Sequence, residues 1–353
     1  MDSEAPPFDV CVVAHITRDR IRVGDAETTA PGGVAFYAGL ALHRLGRRVA
    51  VVTKLAREDQ TALLSELRSA GITVYCRESE ETTAFGNEYS GGHGSHESRL
   101  DSRVLTVTSV ATPFTPSDLA GVRADWFYLG PLSSQDMSVE FVESVQSRGQ
   151  IALDAQGLVR KIEAEKIRAV RPADIEALLR PVSILKVDAQ EAETLSGASG
   201  HEDAARRLHA LGPQEVIVTF ASQGSMIFDG EKFHYIDAVG GKVVDATGCG
   251  DTYLAAYLDR RLASDDPEPS GRFAAATATL ALEREGALHG GALEVRARMR
   301  GSEKARKNLA ASLQTDDREP PSNHEPIDHF EPQAMKRNSS VSTREGSGVA
   351  VGD

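Results

Sequence analysis

The sequence predicts an α/β protein with a doubly wound, mostly parallel sheet and helices on both of its faces. Short runs that are apolar on both faces alternate with amphipathic helical stretches, which is typical of a parallel sheet covered on both sides. Apolar residues make up 41% of the 353-residue chain, enough for a substantial core, whereas aromatic residues make up only 5%. Between about residues 72 and 110 the rhythm changes, and the chain alternates like exposed strands.

The apolar runs and the helical periodicity place the elements of this fold in order. The sequence predicts strands over residues 8–14, 48–55, 72–76, 125–130, 150–155, 182–187, 215–220 and 224–229. It predicts helices over residues 34–45, 57–71, 138–148, 172–179, 201–211, 252–262 and 271–285. We expect one domain over residues 8–300. From about residue 301 the chain is polar, charged and rich in Pro, Ser and Gly, so we expect a disordered tail over 301–353.

The composition excludes some classes of function. A formal net charge of −13 argues against non-specific nucleic-acid binding, which needs surplus Lys and Arg. The three cysteines lie far apart, without a metal-ligand spacing or a disulfide framework, so we expect a reducing compartment. The acidic start lacks a secretory signal pattern, and no apolar run approaches the length of a membrane span. We expect a cytoplasmic protein without nucleic-acid or membrane partners.

The stretch GGKVVDATGCGDTYLAAYL, residues 240–258, places glycines, a threonine and an aspartate where a helix should begin. The amides of a helix N-terminus attract anions, and Gly248 and Gly250 let the backbone approach a phosphate closely. The amides of residues 248–251 could then stabilise a phosphoryl group during its transfer, while Asp251 accepts the proton of an attacking hydroxyl. An alternative, equally open at this point, is that Asp251 is an N-cap and the glycines form a turn. The spacing fits neither a Walker A loop nor a dinucleotide fingerprint.

Two segments carry a family resemblance. The first, VVDATGCGDTYLAAYL, resembles the C-terminal signature of the ribokinase-like (PfkB) carbohydrate kinases, whose core is Asp-Thr-Gly-Ala-Gly-Asp. Ala246 takes the place of the first aspartate, or of the threonine after it in a longer form, and Cys249 replaces a small alanine. The second, PGGVAFYAGLALHRLG over residues 31–46, resembles the family's Gly-Gly-x-x-x-Asn-x-Ala helix start. With the order of strands and helices, the resemblance covers residues 8–300.

The resemblance implies an ATP-dependent kinase that phosphorylates a hydroxyl of a small polyhydroxylated substrate, a sugar or an inositol. Asp251 would be the base. The anion-hole amides would come from Gly248, Cys249 and Gly250. The acceptor would be contacted by Asp19, Gly32, Gly33 and Tyr37. Since Tyr37 stands where the family has a substrate-binding asparagine, the usual sugar contacts are in doubt.

On the donor side, LKVDAQEAETLSG resembles the family's Asn-x-x-Glu motif, with Asp188 in the place of the asparagine. This implies that Asp188 contacts the cofactor and that Glu191 positions hydrated Mg²⁺ near the ATP phosphates. VTFASQGSMIF resembles the nucleotide strand and turn, which implies ATP contacts from Thr219, Ser222 and Gly224. The plainer alternatives are a solvated helix-face charge for Glu191 and an ordinary β-turn around Ser222.

Asp245 and Thr247 match positions that bind a monovalent cation in some members, so the resemblance also implies a possible K⁺ site. The alternative is a carboxylate that bonds its own turn. The alternating segments over about 16–30 and 72–110 correspond to the family's β-lid, a small sheet that expels water from the reacting phosphate. In many members the lid pairs two subunits, so the resemblance implies a homodimer.

Other charged residues and other functions stay open. Lys54, Lys186 and Arg160 are placed to meet phosphate, but each is expected to be a surface or ion-pair residue. Asp154 and Gln156 leave a strand at the sheet's carboxyl edge, where ligands of such folds bind, and are candidates to face the nucleotide phosphates or magnesium. A nucleoside kinase of the same fold and a regulatory binding protein without catalysis are the alternative functions.

Overall fold

Strands and helices alternate through most of the residues that the computed structural model describes, which are 8–23, 26–89, 103–163 and 166–301. The strands are β1 (Phe8–Val13), β2 (Thr17–Val23), β3 (Ala26–Gly32), β4 (Val49–Leu55), β5 (Thr73–Glu78), β6 (Ala84–Tyr89), β7 (Arg103–Ser109), β8 (Ala124–Leu129), β9 (Gln150–Asp154), β10 (Arg160–Glu163), β11 (Lys166–Ala169), β12 (Ile184–Asp188), β13 (Glu215–Thr219), β14 (Ser225–Phe228) and β15 (Phe233–Ile236). The helices are α1 (Val34–Arg44), α2 (Gln60–Leu63), α3 (Ser65–Ser69), α4 (Val139–Gln146), α5 (Ile175–Leu179), α6 (Ala189–Ser196), α7 (His201–His209), α8 (Cys249–Leu262) and α9 (Pro267–Leu282).

The central sheet has nine strands in the spatial order β15-β14-β13-β12-β9-β8-β1-β4-β5. Neighbouring strands are parallel from β13 to β5, and β14 and β15 add an antiparallel edge. The chain continues from β1 to β4 on one side and later to β8 on the other, so the predicted doubly wound fold is confirmed. Ligands of such sheets bind beyond the carboxyl ends of the strands, near the point where the winding reverses.

The core forms two layers because successive side chains of a strand point to opposite faces. In β1, Val10 and Val12 pack with α1, α8 and α9, whereas Cys11 and Val13 pack with the layer of α4 and α7. All four side chains are fully buried. Burial on both faces explains why the central strands are continuous apolar runs in the sequence.

A separate sheet of four strands has the order β3-β2-β6-β7. β2 pairs antiparallel with β3 and parallel with β6, and β6 pairs antiparallel with β7. These strands come from the two segments that predicted a lid, of which residues 24–25 and 90–102 lie outside the described part of the chain. β5 corrects that prediction, because it pairs parallel with β4 at the edge of the central sheet. Its side chains are half-buried or exposed along the whole strand, as expected at an edge.

Other differences concern short elements. The helix predicted over 57–71 is interrupted at Leu64 and forms α2 and α3. The sequence did not predict β15 or the β10–β11 hairpin, whose strands have four residues each, too few for a periodic pattern. No helix among the described residues is both long enough and apolar enough to cross a membrane. The predicted tail, from residue 302 onward, lies outside the described residues.

Candidate active site

The side chains that the sequence singled out collect at the carboxyl edge of the central sheet and at the start of α8. Asp154, Asp188 and Thr219 are the last residues of β9, β12 and β13. Asp188 and Thr219 are paired in register on the two neighbouring strands. Parallel strands end at one edge, so polar residues separated by more than thirty positions in the sequence meet there.

The turn before α8 forms a cradle of free backbone donors. Gly248 is the N-cap residue, in the left-handed region at φ +72°, and no side chain caps the helix. Among the described residues, no protein acceptor is bonded to the amides of Gly248, Gly250 or Asp251. The Cys249 amide donates to the Ala246 carbonyl at 3.3 Å, so the cradle offers three available amides instead of the four predicted. Such unpaired donors at a helix N-terminus are an anion-binding arrangement.

Asp251 is the third residue of α8, so the alternative that it serves as the N-cap is wrong. Asp251 is half-buried at the helix start. Burial and the neighbouring charge of Asp154 raise the pKa of Asp251 to about 7, against the opposing influence of Lys186 and Arg160. A carboxyl group with a pKa near neutrality is suited to take a proton from a hydroxyl and to release it again.

A buried ion pair lies next to this helix start. Lys186 on β12 and Asp154 on β9 are partners in the strand register, and their charged atoms are 2.9 Å apart. The expectation that Lys186 forms an ion pair is therefore confirmed. Gly250 leaves room for the pair, since a Cβ atom there would lie 3.1 Å from the Lys186 Nζ.

On the acceptor side, Tyr37 packs directly against the cradle. A Cβ atom at Gly248 would lie 2.2 Å from the Tyr37 ring, so only glycine fits at this position. Tyr37 is buried on α1, and burial together with the charges of Asp245, Asp19 and Asp251 raises the pKa of its hydroxyl. These carboxylates surround the tyrosine that replaces the family's asparagine.

Asp19, Gly32 and Gly33 also come together, at the junction of the four-stranded sheet with α1. The Asp19 carboxylate lies so close to Gly32 that a Cβ atom there would be 2.3 Å from its Oδ2. Gly33 is the N-cap of α1 at φ +84° and lies against the carbonyl of His15. Tyr37 links these residues to the predicted base, because Asp19 and Asp251 are both electrostatic neighbours of its hydroxyl.

On the donor side, Asp188 and Glu191 form a capping box at the start of α6. The Glu191 amide donates to Asp188 Oδ1 at 2.7 Å, and the Asp188 amide donates to Glu191 Oε2 at 2.8 Å. Glu191 is only 5% exposed, so the alternative of a solvated helix-face charge is wrong. Burial raises the pKa of Glu191 to about 7, with Asp154 and Asp188 adding to the shift and Lys186 opposing it.

The predicted nucleotide turn follows β13. The Thr219 hydroxyl donates to the Val187 carbonyl at 3.3 Å, and Ser222 is exposed on a 3₁₀ turn over Ala221–Gln223. Gly224 has φ +98° and lies against the carbonyl of Ile236, which excludes a side chain. Ala221 adopts φ +49°, in the left-handed region that favours glycine. No contact in the described part of the chain joins Ser222 to the cradle.

Both carboxylate oxygens of Asp245, one of the proposed cation residues, accept backbone hydrogen bonds, only one of them from its own turn. Asp245 Oδ1 accepts from the Thr247 amide at 2.9 Å, and its Oδ2 accepts from the Gly286 amide at 3.3 Å. Within the described ranges, no three His, Cys, Asp or Glu side chains come together as a metal site.

The sequence did not predict that two polar side chains would face each other behind the cradle. Asp154 was expected to face ligand, but its partner is Lys186, and only the strand register shows that they are opposite each other. Tyr128 on β8 was not singled out, although its buried hydroxyl has Asp154 and Asp251 as electrostatic neighbours. Lys54, as expected, forms an ion pair, at 2.9 Å from Asp118.

Comparison with known proteins agrees with this geometry. The model of the pfkB family carbohydrate kinases matches residues 8–292. The chain therefore belongs to this family, and it is a phosphotransferase with an alcohol group as acceptor.

Relatives and solved structures add detail. A cytidine kinase of Thermococcus kodakarensis is 22% identical over 258 residues, covering 71% of this chain and 87% of the relative. A pyrophosphate-dependent kinase of the ribokinase family, solved with a pyrophosphate analog and myo-inositol, has 28% identity and a TM-score of 0.72. That match covers 82% of this chain and 99% of the other. Arabidopsis thaliana ribokinase, solved with ribose and ATP, shares the fold at 21% identity and a TM-score of 0.66, over 83% of this chain and 99% of that structure.

Proposed function

We propose that this protein is an ATP- and Mg²⁺-dependent kinase that phosphorylates a hydroxyl of a sugar or an inositol. At the coarser level it is a ribokinase-family kinase that acts on a sugar, a nucleoside or an inositol. One observation carries the proposal: the carboxylate of Asp251 stands at the same helix start as three amides without a protein acceptor. A base and an anion cradle at one point are what phosphoryl transfer to a hydroxyl requires.

The reaction divides between three groups of this chain. Asp251 accepts the proton of the acceptor hydroxyl as its oxygen attacks the terminal phosphorus of the donor. The amides of Gly248, Gly250 and Asp251 stabilise the charge on the transferring phosphoryl group, and ADP leaves in line with the attack as its bond to the transferred phosphorus breaks. Asp19 and Gly33 orient the acceptor, since a carboxylate accepts hydrogen bonds from two neighbouring hydroxyls.

The cofactor residues follow from the donor side of the site. Glu191 would hold magnesium through water, and the ion supplies positive charge to the donor phosphates. Asp188, Thr219, Ser222 and Gly224 would contact the nucleotide. The K⁺ site at Asp245 and Thr247 stays a prediction, tested by comparing rates in KCl and NaCl, and so does the homodimer through the four-stranded sheet.

Asp251→Asn tests the proposed base. The variant should lose about 10²–10⁴-fold in kcat, because proton transfer to a positioned base contributes about that much. It should still bind acceptor and donor, because the amides and Asp19 are unchanged. We would measure turnover by ³¹P NMR with myo-inositol, ribose and cytidine as acceptors, and binding by calorimetry.

The matched control is Asp9→Asn. Asp9 lies at the amino end of β1, away from the carboxyl edge where the site is, and pairs with Arg48 at 2.7 Å. Activity of this variant should therefore stay within about twofold of wild type. Turnover that survives Asp251→Asn would contradict the role of the base. A wild-type protein that binds one of these acceptors but transfers nothing to it would instead be the regulatory binding protein.

Pyrophosphate is a second candidate donor. It is favoured by the match at 28% identity to the pyrophosphate-dependent kinase, whereas the ATP-bound ribokinase shares 21%. The experiment compares initial rates with Mg-ATP and with Mg-pyrophosphate at equal concentrations. A rate at least tenfold higher with pyrophosphate would replace ATP as the proposed donor, and myo-inositol would then be the first acceptor to test.

A further inference from the structure

The proposed reaction does not use the buried ion pair that Asp154 and Lys186 form behind the cradle. We propose that Asp154 is a positioning residue that holds the Lys186 ammonium against Gly250, so that the phosphate cradle contains a fixed cation. This inference rests on the proposed function, because it assigns a further charge to the same site. The carboxylate acts through the lysine and does not itself touch substrate.

The strand register fixes the geometry of the pair. Asp154 and Lys186 occupy opposed positions on the neighbouring strands β9 and β12, so both side chains point to the same face of the sheet. Their charged atoms are 2.9 Å apart, and the residues are 2% and 5% exposed. A pair buried to this degree has little freedom to separate, so the ammonium is held in one place.

The Lys186 ammonium lies near the N-terminus of a helix, where the helix dipole does not stabilise a positive charge. It lies next to Gly250, in the first turn of α8, where the helix dipole presents its positive end. Two positive groups facing each other are unfavourable unless an anion lies with them. Asp154 neutralises the lysine from the strand side, Glu191 and Asp251 are further electrostatic neighbours of the lysine, and a phosphoryl group in the cradle would add an anion on the helix side.

A second buried polar group faces the same pair. The Tyr128 hydroxyl on β8 is fully buried and, within the described part of the chain, has no hydrogen-bond partner. Asp154 and Asp251 are its electrostatic neighbours. Asp251 interacts electrostatically with six ionisable side chains, which are those of Tyr37, Tyr128, Asp154, Arg160, Lys186 and Cys249.

The test compares two charge-neutral double variants. Asp154→Asn/Lys186→Met removes the proposed cation, and Lys54→Met/Asp118→Asn removes a similarly buried pair, also at 2.9 Å, that does not influence the pKa of Asp251. Neutral replacement avoids leaving one buried charge unpaired, which would threaten folding. Calorimetry measures the binding of Mg-pyrophosphate and of Mg-ATP, and thermal melts confirm that both variants fold.

We expect the Asp154/Lys186 double variant to bind at least one of these donors tenfold or more weakly than wild type, and the control double variant to bind within twofold. The single variant Asp154→Asn, which keeps the lysine but frees it, should bind with intermediate affinity and lower kcat more than it raises KM. Equal affinity of the two double variants would overturn the proposal, as would a wild-type protein that binds neither donor. Turnover is measured separately, so donor binding without transfer would contradict the proposed function and leave this result standing.

Discussion

Tyr37 and Gly248 show how a single residue shapes the cradle. The family resemblance identified Tyr37 as a departure from a substrate-binding asparagine. In the structure its ring packs on Gly248, which combines φ +72° with no room for a side chain. The tyrosine therefore packs on the cradle and has Asp19 and Asp251 as electrostatic neighbours.

Gly248→Ala should impair both stability and activity. A left-handed alanine costs about 1–2 kcal/mol, and the added Cβ would collide with the Tyr37 ring. Gly46→Ala is the control, since Gly46 has φ +98° with open space around it and incurs only the backbone cost. Differential scanning calorimetry should show a larger loss of Tm for Gly248→Ala, and kcat/KM should fall at least 100-fold for that variant alone. Adding Tyr37→Asn should restore part of the lost stability, and equal Tm losses for the two glycine variants would refute the steric argument.

At the level of elements, the capping box at α6 joins folding to function. Asp188 and Glu191 satisfy each other's backbone amides, and this exchange fixes the Glu191 carboxylate at the end of β12. The helix start is thus built from the two residues that the family motif assigns to the donor site. A loss of the cap should release Glu191 as well as weaken the helix.

Asp188→Ala and Ser138→Ala separate these two effects. Both remove an N-cap, because the Ser138 hydroxyl accepts from the Phe141 amide at the start of α4. Each should lower the free energy of unfolding by about 1 kcal/mol, measured by urea denaturation. Only Asp188→Ala should also raise the KM for the donor, severalfold or more, because Asp188 is a proposed donor contact and its cap holds Glu191. A Ser138→Ala variant with an equal change in KM would contradict this assignment.

The sequence predicted the long buried elements well because burial on both faces leaves a continuous apolar run. β1, β8, β9, β12 and β13 all fall within a residue or two of their predicted bounds. β5 was placed in the wrong sheet because an edge strand of the core is only half-buried and therefore lacks the continuous apolar run of a central strand. Pairing between strands is also absent from the local pattern, so the Asp154–Lys186 contact required the register of β9 and β12.

For the whole molecule, the site concentrates buried negative charge in a chain of net charge −13. Asp251 and Glu191 both have a pKa raised to about 7, mainly because burial disfavours their charged forms. Because burial outweighs the attraction of Lys186, the ionised carboxylates oppose folding at neutral pH when no ligand is bound. The buried carboxylates of the candidate active site therefore lower the free energy of unfolding of the protein.

The stability of the unliganded protein should thus fall as the pH rises from about 4 to about 7. In this window the unfolded chain releases the protons of Asp251 and Glu191 while the folded protein still holds them, so deprotonation favours unfolding. Asp251→Asn and Glu191→Gln each remove one of the carboxyl groups whose deprotonation favours unfolding. Their Tm relative to wild type should therefore be higher at pH 8 than at pH 5. Asp9→Asn is the control: burial opposes ionisation there, but Arg48 outweighs it and holds the pKa of Asp9 below its usual value. That variant should lose the same stability at pH 5 and at pH 8. If calorimetric melts show no difference between pH 5 and pH 8 for the two site variants either, Asp251 and Glu191 are already ionised in the folded protein.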